Sequence, residues 1–172
     1  MKIIITEQQY NAIIRYLNEQ EEEEQKRAAG VYPIAKSTGR ILLQQRGKNI
    51  NNPLEWTNWG GKADPGESPK QNAVREFREE SGYKGDVELV KSFVFENPDV
   101  KFSNYFGIVP NEFTPPMVGK KTVDGVVEVE NYKWVSLNQF LNFKGKFHRG
   151  VSDFIKNALP QLRDIIDGLE FE

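Results

Sequence analysis

The chain has 172 residues, a formal net charge of −2, a single histidine (His148) and no cysteine. That length suits one compact domain with a short appendage, and the missing cysteines exclude disulfides, thiolate zinc sites and a cysteine nucleophile. One His cannot build an imidazole site, so any metal should be a hard cation on oxygen ligands. The near-balanced charge gives no support for a nucleic-acid partner, and no apolar run approaches a membrane span or a signal-peptide core, so a cytoplasmic location is the default expectation.

The first segment predicts a helix. Thr6 and Gln9 form a capping-box pattern, and Tyr10, Ile13, Ile14 and Leu17 fall on one helical face. Glu19 and Glu21 to Glu24 follow as a solvated acidic stretch that Lys26 and Arg27 partly offset. Residues 1–27 therefore read as an N-terminal extension whose apolar face packs on the domain or, alternatively, forms a homodimer or partner contact.

From Ala28 the texture changes to that of the main domain, residues 28–172. AAGVYPIAK and RILLQQR are short apolar runs around a Ser37-Thr38-Gly39 turn, the pattern of a hairpin. A polar loop, GKNINNPLEW, leads to Trp59-Gly60-Gly61. A well-marked helix comes next: Ser68 caps it, Pro69 opens it, Gln71 completes a second capping box and Gly82 ends it. VELVKSFVFE, FSNYFGIV and VVEVENYKWV read as three further strands. Val151, Phe154, Ile155, Leu162, Ile165 and Ile166 mark a closing amphipathic helix in which Pro160 predicts a kink. Strands around a central and a terminal helix indicate an α/β (α+β) sandwich on a mixed sheet.

The informative stretch is GKADPGESPKQNAVREFREESGY, residues 61–83. Glu76, Glu79 and Glu80 are spaced i, i+3, i+4 and share one face of the helix. Neighbouring carboxylates repel, and a divalent cation resolves that repulsion. Arg75 can pair with Glu79 one turn on or with Glu67 before the helix. Gly61 and Gly66 allow the preceding loop to turn tightly and approach a ligand. REFREE alone would equally describe a charged face toward solvent, with Ala73 and Phe77 toward the core.

The whole pattern is more specific. Gly61, Glu67, Arg75, Glu76, Phe77, Glu79, Glu80, Gly82 and Tyr83 match, in identity and spacing, the Nudix box. At background frequencies of roughly 5–7% per position, the fixed identities coincide by chance about once in 10⁸ placements. The chain resembles Nudix hydrolases over about residues 28–158, including the strands that flank the box. Phe77 and Tyr83 are aromatic where the family usually has aliphatic residues, and Trp59 replaces a common Pro.

The resemblance implies a Nudix-like α/β/α sandwich and magnesium- or manganese-dependent attack of water on a phosphoanhydride in a nucleoside diphosphate linked to another group. Glu76, Glu79 and Glu80 would bind metal, and Glu67 with Arg75 and Gly61 would brace the loop. The general base would be a box acid (Glu79 or Glu80) or a later one, for which Glu128 and Glu130 are candidates; alternate acids on VVEVE also suit the wet face of a strand. Arg46, Lys62, Trp59, Phe102, Tyr105 and His148 are candidate substrate contacts, though aromatic strand residues more often pack in a core. The small-nucleotide substrates that fit are ADP-ribose-like compounds, at which Pro98 hints, dinucleoside polyphosphates and nucleoside triphosphates. The competing reading is a catalytically silent Nudix-fold module for nucleotide sensing or protein interaction. Residues 113–125, FTPPMVGKKTVDG, read as a mobile loop over the site.

Overall fold

The computed structural model describes residues 6–13, 26–96 and 99–169. Ile14, Leu17, the acidic stretch Glu19–Glu24 and Pro98 lie outside them. Residues 7–13 form helix α1, with the expected cap: the Gln9 N–H donates to Thr6 Oγ1 at 3.2 Å and the Thr6 N–H to Gln9 Oε1 at 2.9 Å. Tyr10 and Ile13 on its apolar face are 53% and 46% exposed.

The described residues contain seven strands in one sheet: β1 (Lys26–Ala35), β2 (Ile41–Arg46), β3 (Trp56–Thr57), β4 (Trp59–Lys62), β5 (Glu88–Glu96), β6 (Val100–Val109) and β7 (Val129–Val135). The main path runs β3-β2-β1-β6-β5, with β4 added to β1 and β7 to β2. β1 and β6 pair in parallel over their full lengths; the other pairs are antiparallel, so the sheet is mixed. The expected hairpin is β1–β2, with Ile34 opposite Ile41.

Strand alternation sends neighbouring side chains to opposite faces. Val31, Leu42 and Tyr105 pack on one side with Trp59, Ala73 and Phe77; Tyr32, Leu43 and Phe106 pack on the other with Phe140, Val151, Phe154 and Leu162. The first face is covered by α2 (Pro69–Ser81), the second by α3 (Leu137–Leu141) and α4 (Arg149–Asp167). Each fully buried large apolar side chain contributes about 1.5–3 kcal/mol to holding these layers together. The result is the expected α/β/α sandwich.

Three details differ from the sequence reading. β3 and β4 occupy what reads as loop, and α3, capped by Ser136, carries too few turns for a periodic signal. α4 runs unbroken through Pro160, which is exposed, so the missing N–H falls where water can serve the orphaned carbonyl. No described helix is long and apolar enough to cross a membrane.

Candidate active site

Helix α2 is built as its sequence requires. The Gln71 N–H donates to Ser68 Oγ and the Gln71 side chain returns to the Ser68 N–H. Gly82 ends the helix at φ 74°, left-handed backbone that favours glycine. Ala73 and Phe77 are fully buried, and Phe77 meets Trp59 edge-on with ring centroids 6.1 Å apart. That anchoring sets Glu76 and Glu80, which share the helix face of Ala73 and Phe77, against β4 and β2, while Arg75 and Glu79 lie to one side of that face.

Arg75 organises the acids. Its Nε and Nη2 donate to the two oxygens of Glu67 at 2.9 and 3.0 Å, a bidentate pair. Nη1 donates to both Glu76 Oε1 and Glu79 Oε2 at 2.9 Å, and Nη2 also reaches the Lys62 carbonyl at 3.1 Å. Glu67 accepts a further bond from the Asp64 N–H at 3.0 Å. Arg75 and the Asp64 N–H hold the Glu67 carboxyl below its ordinary range, and Glu67 in turn raises the guanidinium.

Glu80 is held differently. Its Oε2 accepts from Gln44 Nε2 at 2.7 Å and from the Gly60 N–H at 2.9 Å. Burial, and next the charge of Glu76, push its carboxyl up to about 8. Burial also raises Glu76, against the pull of Arg75, with Glu79 and Glu128 adding repulsion. Burial and mutual repulsion thus disfavour charge on Glu76 and Glu80 together, with Glu128 adding to that repulsion from beyond the helix.

That donor set fits a hard divalent cation: carboxylate oxygens only, on one helix face, carrying repulsion that a cation would relieve. Among the described residues no three acidic or histidine side chains already converge as a cage, and Arg75 Nη1 is shared between Glu76 and Glu79.

Beside the acids is a cavity of about 190 Å³. Tyr32, Phe95, Val100 and Phe102 supply apolar wall, Thr57, Asn58 and Asn104 a buried polar floor, and Arg46, His148 and Arg149 positive or titratable groups. Gly60 lines the cavity while its N–H binds Glu80. β3 places the helix end here: the Trp56 N–H donates to the Lys146 carbonyl at 2.8 Å and the His148 N–H to the Trp56 carbonyl at 2.9 Å. His148 Nδ1 caps α4 by accepting from the Gly150 N–H at 3.3 Å.

The model of the NUDIX domain matches residues 24–157. The chain belongs to the Nudix family. It is an enzyme of the Nudix pyrophosphohydrolase type, a family that acts on small nucleotides and generally uses divalent metal. An 8-oxo-dGTP diphosphatase from Haemophilus influenzae is 37% identical over 101 residues, covering 57% of this chain and 71% of that one. A CTP pyrophosphohydrolase from Escherichia coli is 42% identical over 57 residues, 33% of this chain and 42% of that one. A Nudix hydrolase from M. smegmatis shares the fold at a TM-score of 0.65 and 19% identity, covering 85% of this chain and 88% of that chain.

The expected site residues of this Nudix enzyme divide in the structure. Arg46, Phe102 and His148 line the cavity. Trp59 and Tyr105 do not: Trp59 is fully buried on the α2 face, donating from Nε1 to the Leu42 carbonyl at 3.2 Å, and Tyr105 packs in the same cluster. Pleating sends them to the side of the sheet opposite the cavity wall made by Tyr32. Lys62 is exposed at the end of β4, and its carbonyl receives Arg75 and Asn72. Gly61 is not at a tight turn but in β4, opposite Ala29; a Cβ there would stand 2.6 Å from the Glu76 carboxylate. Gly66, at φ 77°, makes the turn.

Glu128 stands close enough to act electrostatically on Glu76 and Glu80, whereas Glu130 pairs with Lys48 at 2.6 Å. Residues 113–125 are pinned at one end by Phe113, which packs on Phe77, Tyr83 and Trp134; Val123 is fully exposed. Sequence reasoning missed Gln44, Asn58, Asn104 and Tyr32. The available signal was polar residues, Gln44 and Asn104, in otherwise apolar strands.

Proposed function

We propose that this enzyme hydrolyses a nucleoside triphosphate to the monophosphate and pyrophosphate, with the base in the cavity and the phosphates across the acids of α2. The observation that carries this reading is Gly60, a single residue that lines the cavity and holds Glu80 through its N–H. The cavity is smaller than the roughly 300–1,000 Å³ of sites for drug-sized ligands, which suits one ring system rather than a whole dinucleotide. The similar proteins named for 8-oxo-dGTP and CTP support the same class.

Glu76, Glu79 and Glu80 are the residues that would hold magnesium or manganese. Such an ion, when bound, neutralises phosphate oxygens and makes a water more acidic. Glu67 and Arg75 fix the loop against the helix, so that Glu76 is presented in one orientation. Gln44 and Gly60 do the same for Glu80. Glu128 accepts the proton of the attacking water, because it shares the field of Glu76 and Glu80 while Glu130 is committed to Lys48. The water oxygen bonds to phosphorus as the bridging P–O bond breaks, and the electron pair leaves on the bridging oxygen. Arg46 at the cavity and Lys62 beside Gly61 offset the charge of the phosphates.

Incubation with magnesium or manganese and a panel of nucleoside triphosphates, dinucleoside polyphosphates and ADP-ribose, read by chromatography, tests the proposal. We expect monophosphate and pyrophosphate from a triphosphate, with Glu80→Gln and Glu128→Gln each reducing the rate at least about 100-fold. Exclusive turnover of ADP-ribose or a dinucleoside compound would overturn the substrate class.

A further inference from the structure

The buried wall of the cavity carries two polar groups that no described residue pairs. Tyr32 is 1% exposed and lines the cavity. Its ring is stacked on Phe154 with centroids 4.1 Å apart, which fixes its direction, and its hydroxyl has no protein partner among the described residues. Burial raises the phenol, so it stays protonated at neutral pH and can donate.

Asn104 is 5% exposed and lines the same cavity. Its orientation follows from a relay. Thr57 Oγ1 donates to Asn58 Oδ1 at 3.1 Å, and Asn58 Nδ2 then donates to Asn104 Oδ1 at 2.9 Å. With its oxygen occupied, Asn104 is left with Nδ2, a donor that nothing described accepts. The relay is also held in place from behind: the Asn58 carbonyl accepts from Gln44 Nε2 at 2.8 Å, and Gly30 leaves the space that Asn58 Nδ2 fills, since a Cβ there would come within 2.5 Å of it. Both residues line the cavity, where water or a ligand can accept from them.

Building on the reading of this cavity as the base site, we infer that Tyr32 and Asn104 form a donor pair that selects a nucleobase presenting a ring carbonyl, such as guanine, hypoxanthine or a pyrimidine, and rejects adenine. A purine with a 6-carbonyl offers adjacent O6 and N7 acceptors, whereas adenine sets an amino donor in place of O6. Asn104 Nδ2, which can only donate, then meets an opposing donor at adenine and stays unpaired, whereas the Tyr32 hydroxyl can donate or accept. Sites built to hydrogen-bond a substrate group discriminate strongly against analogues that leave their polar groups unmatched.

ITP and ATP differ at this edge and form the matched pair for the test. With magnesium and the full chain, we expect kcat/KM for ITP to exceed that for ATP about 100-fold. Tyr32→Phe, which removes one hydroxyl and keeps the stacked ring, should lower kcat/KM for ITP about tenfold. Asn104→Asp, which replaces the free donor with an acceptor, should narrow the ratio of ITP to ATP or reverse it. Circular dichroism melts of each variant confirm that the fold survives. Equal use of ITP and ATP, or a preference that Asn104→Asp leaves unchanged, overturns the inference while leaving the hydrolase reading intact. If no triphosphate is cleaved, the proposed function fails, and calorimetric binding of IMP against AMP decides the inference alone. Tighter IMP binding that Tyr32→Phe weakens supports it; equal or absent binding overturns it.

Discussion

Gly61→Ala separates the site from the fold that carries it. A methyl group at this position would lie 2.6 Å from both Cδ and Oε2 of Glu76 and 2.8 Å from its Oε1. To reach an ordinary contact of 3.4 Å the carboxylate must retreat about 0.8 Å. The obstacle is the far end of a flexible side chain, so the backbone need not move. A displacement of about 1 Å at a reacting constellation costs on the order of 100-fold in rate, equivalent to about 2.7 kcal/mol. Gly60→Ala is the contrasting neighbour: its methyl would meet the Ala29 carbonyl and the Gly30 Cα at 2.4 Å. Those are backbone atoms in the β1–β4 pairing, so the cost falls on stability, about 1–3 kcal/mol or more. Initial rates, manganese affinity by electron paramagnetic resonance and thermal melts should show Gly61→Ala folded, weak in metal and slow, and Gly60→Ala with a lowered Tm. A Gly61→Ala enzyme within threefold of wild-type kcat would refute the assignment of Glu76; a Tm loss matching Gly60→Ala would refute the claim that only a side chain yields.

Gln44→Leu leaves Glu80 without its 2.7 Å donor and should weaken manganese binding about 10–100-fold, as loss of a group orienting a ligand does; unchanged affinity in a manganese titration would show that Gly60 alone suffices. The Glu67 carboxyl is held below its ordinary range by Arg75 first and the Asp64 N–H next. Its stabilising contribution is therefore complete above the unfolded value of about 4.3 and lost as pH falls through the lower folded value. The Tm gap between wild type and Glu67→Gln should close on acidification below about pH 4.3, and a gap constant to pH 3 would count against the pairing. For His148, burial first and then Arg46 lower the imidazole, with Glu55 opposing. The fold favours neutral His148, so stability is full above the unfolded value of about 6.5 and declines as pH falls through the folded one. His148→Asn, which keeps a capping acceptor, should lose less Tm than wild type between about pH 6.5 and pH 5; parallel melting curves would refute this.

The acids of the site were legible because they lie on one helix. A period of 3.6 residues converts the spacing of Glu76, Glu79 and Glu80 into a shared face without knowledge of the rest of the chain. The caps at Ser68 and Gly82 are local for the same reason. The hairpin and the longer strands followed from short-range patterns as well. β3 and β4 did not, because strands of two and four residues gain their pairing from β2 and β1 rather than from any propensity of their own.

The cavity belongs wholly to the tertiary structure. Tyr32, Asn58, Asn104 and His148 come from β1, the β3–β4 junction, β6 and the start of α4, and nothing in their sequence spacing relates them. Trp59 and Tyr105 make the same point in reverse, for an aromatic strand residue reads alike whether the pleat turns it toward a ligand or into the core. The sequence by itself pointed to the hydrolytic family, the order of strands and helices and the carboxylate face, since the box, the caps and the strand patterns are each read from neighbouring residues. Which face of the sheet carries the cavity, which late glutamate stands near the acids, and which polar groups line the cavity were decided only when the parallel β1–β6 pairing brought distant strands together. Those are long-range contacts, and one chain's local periodicities do not encode the register that forms them.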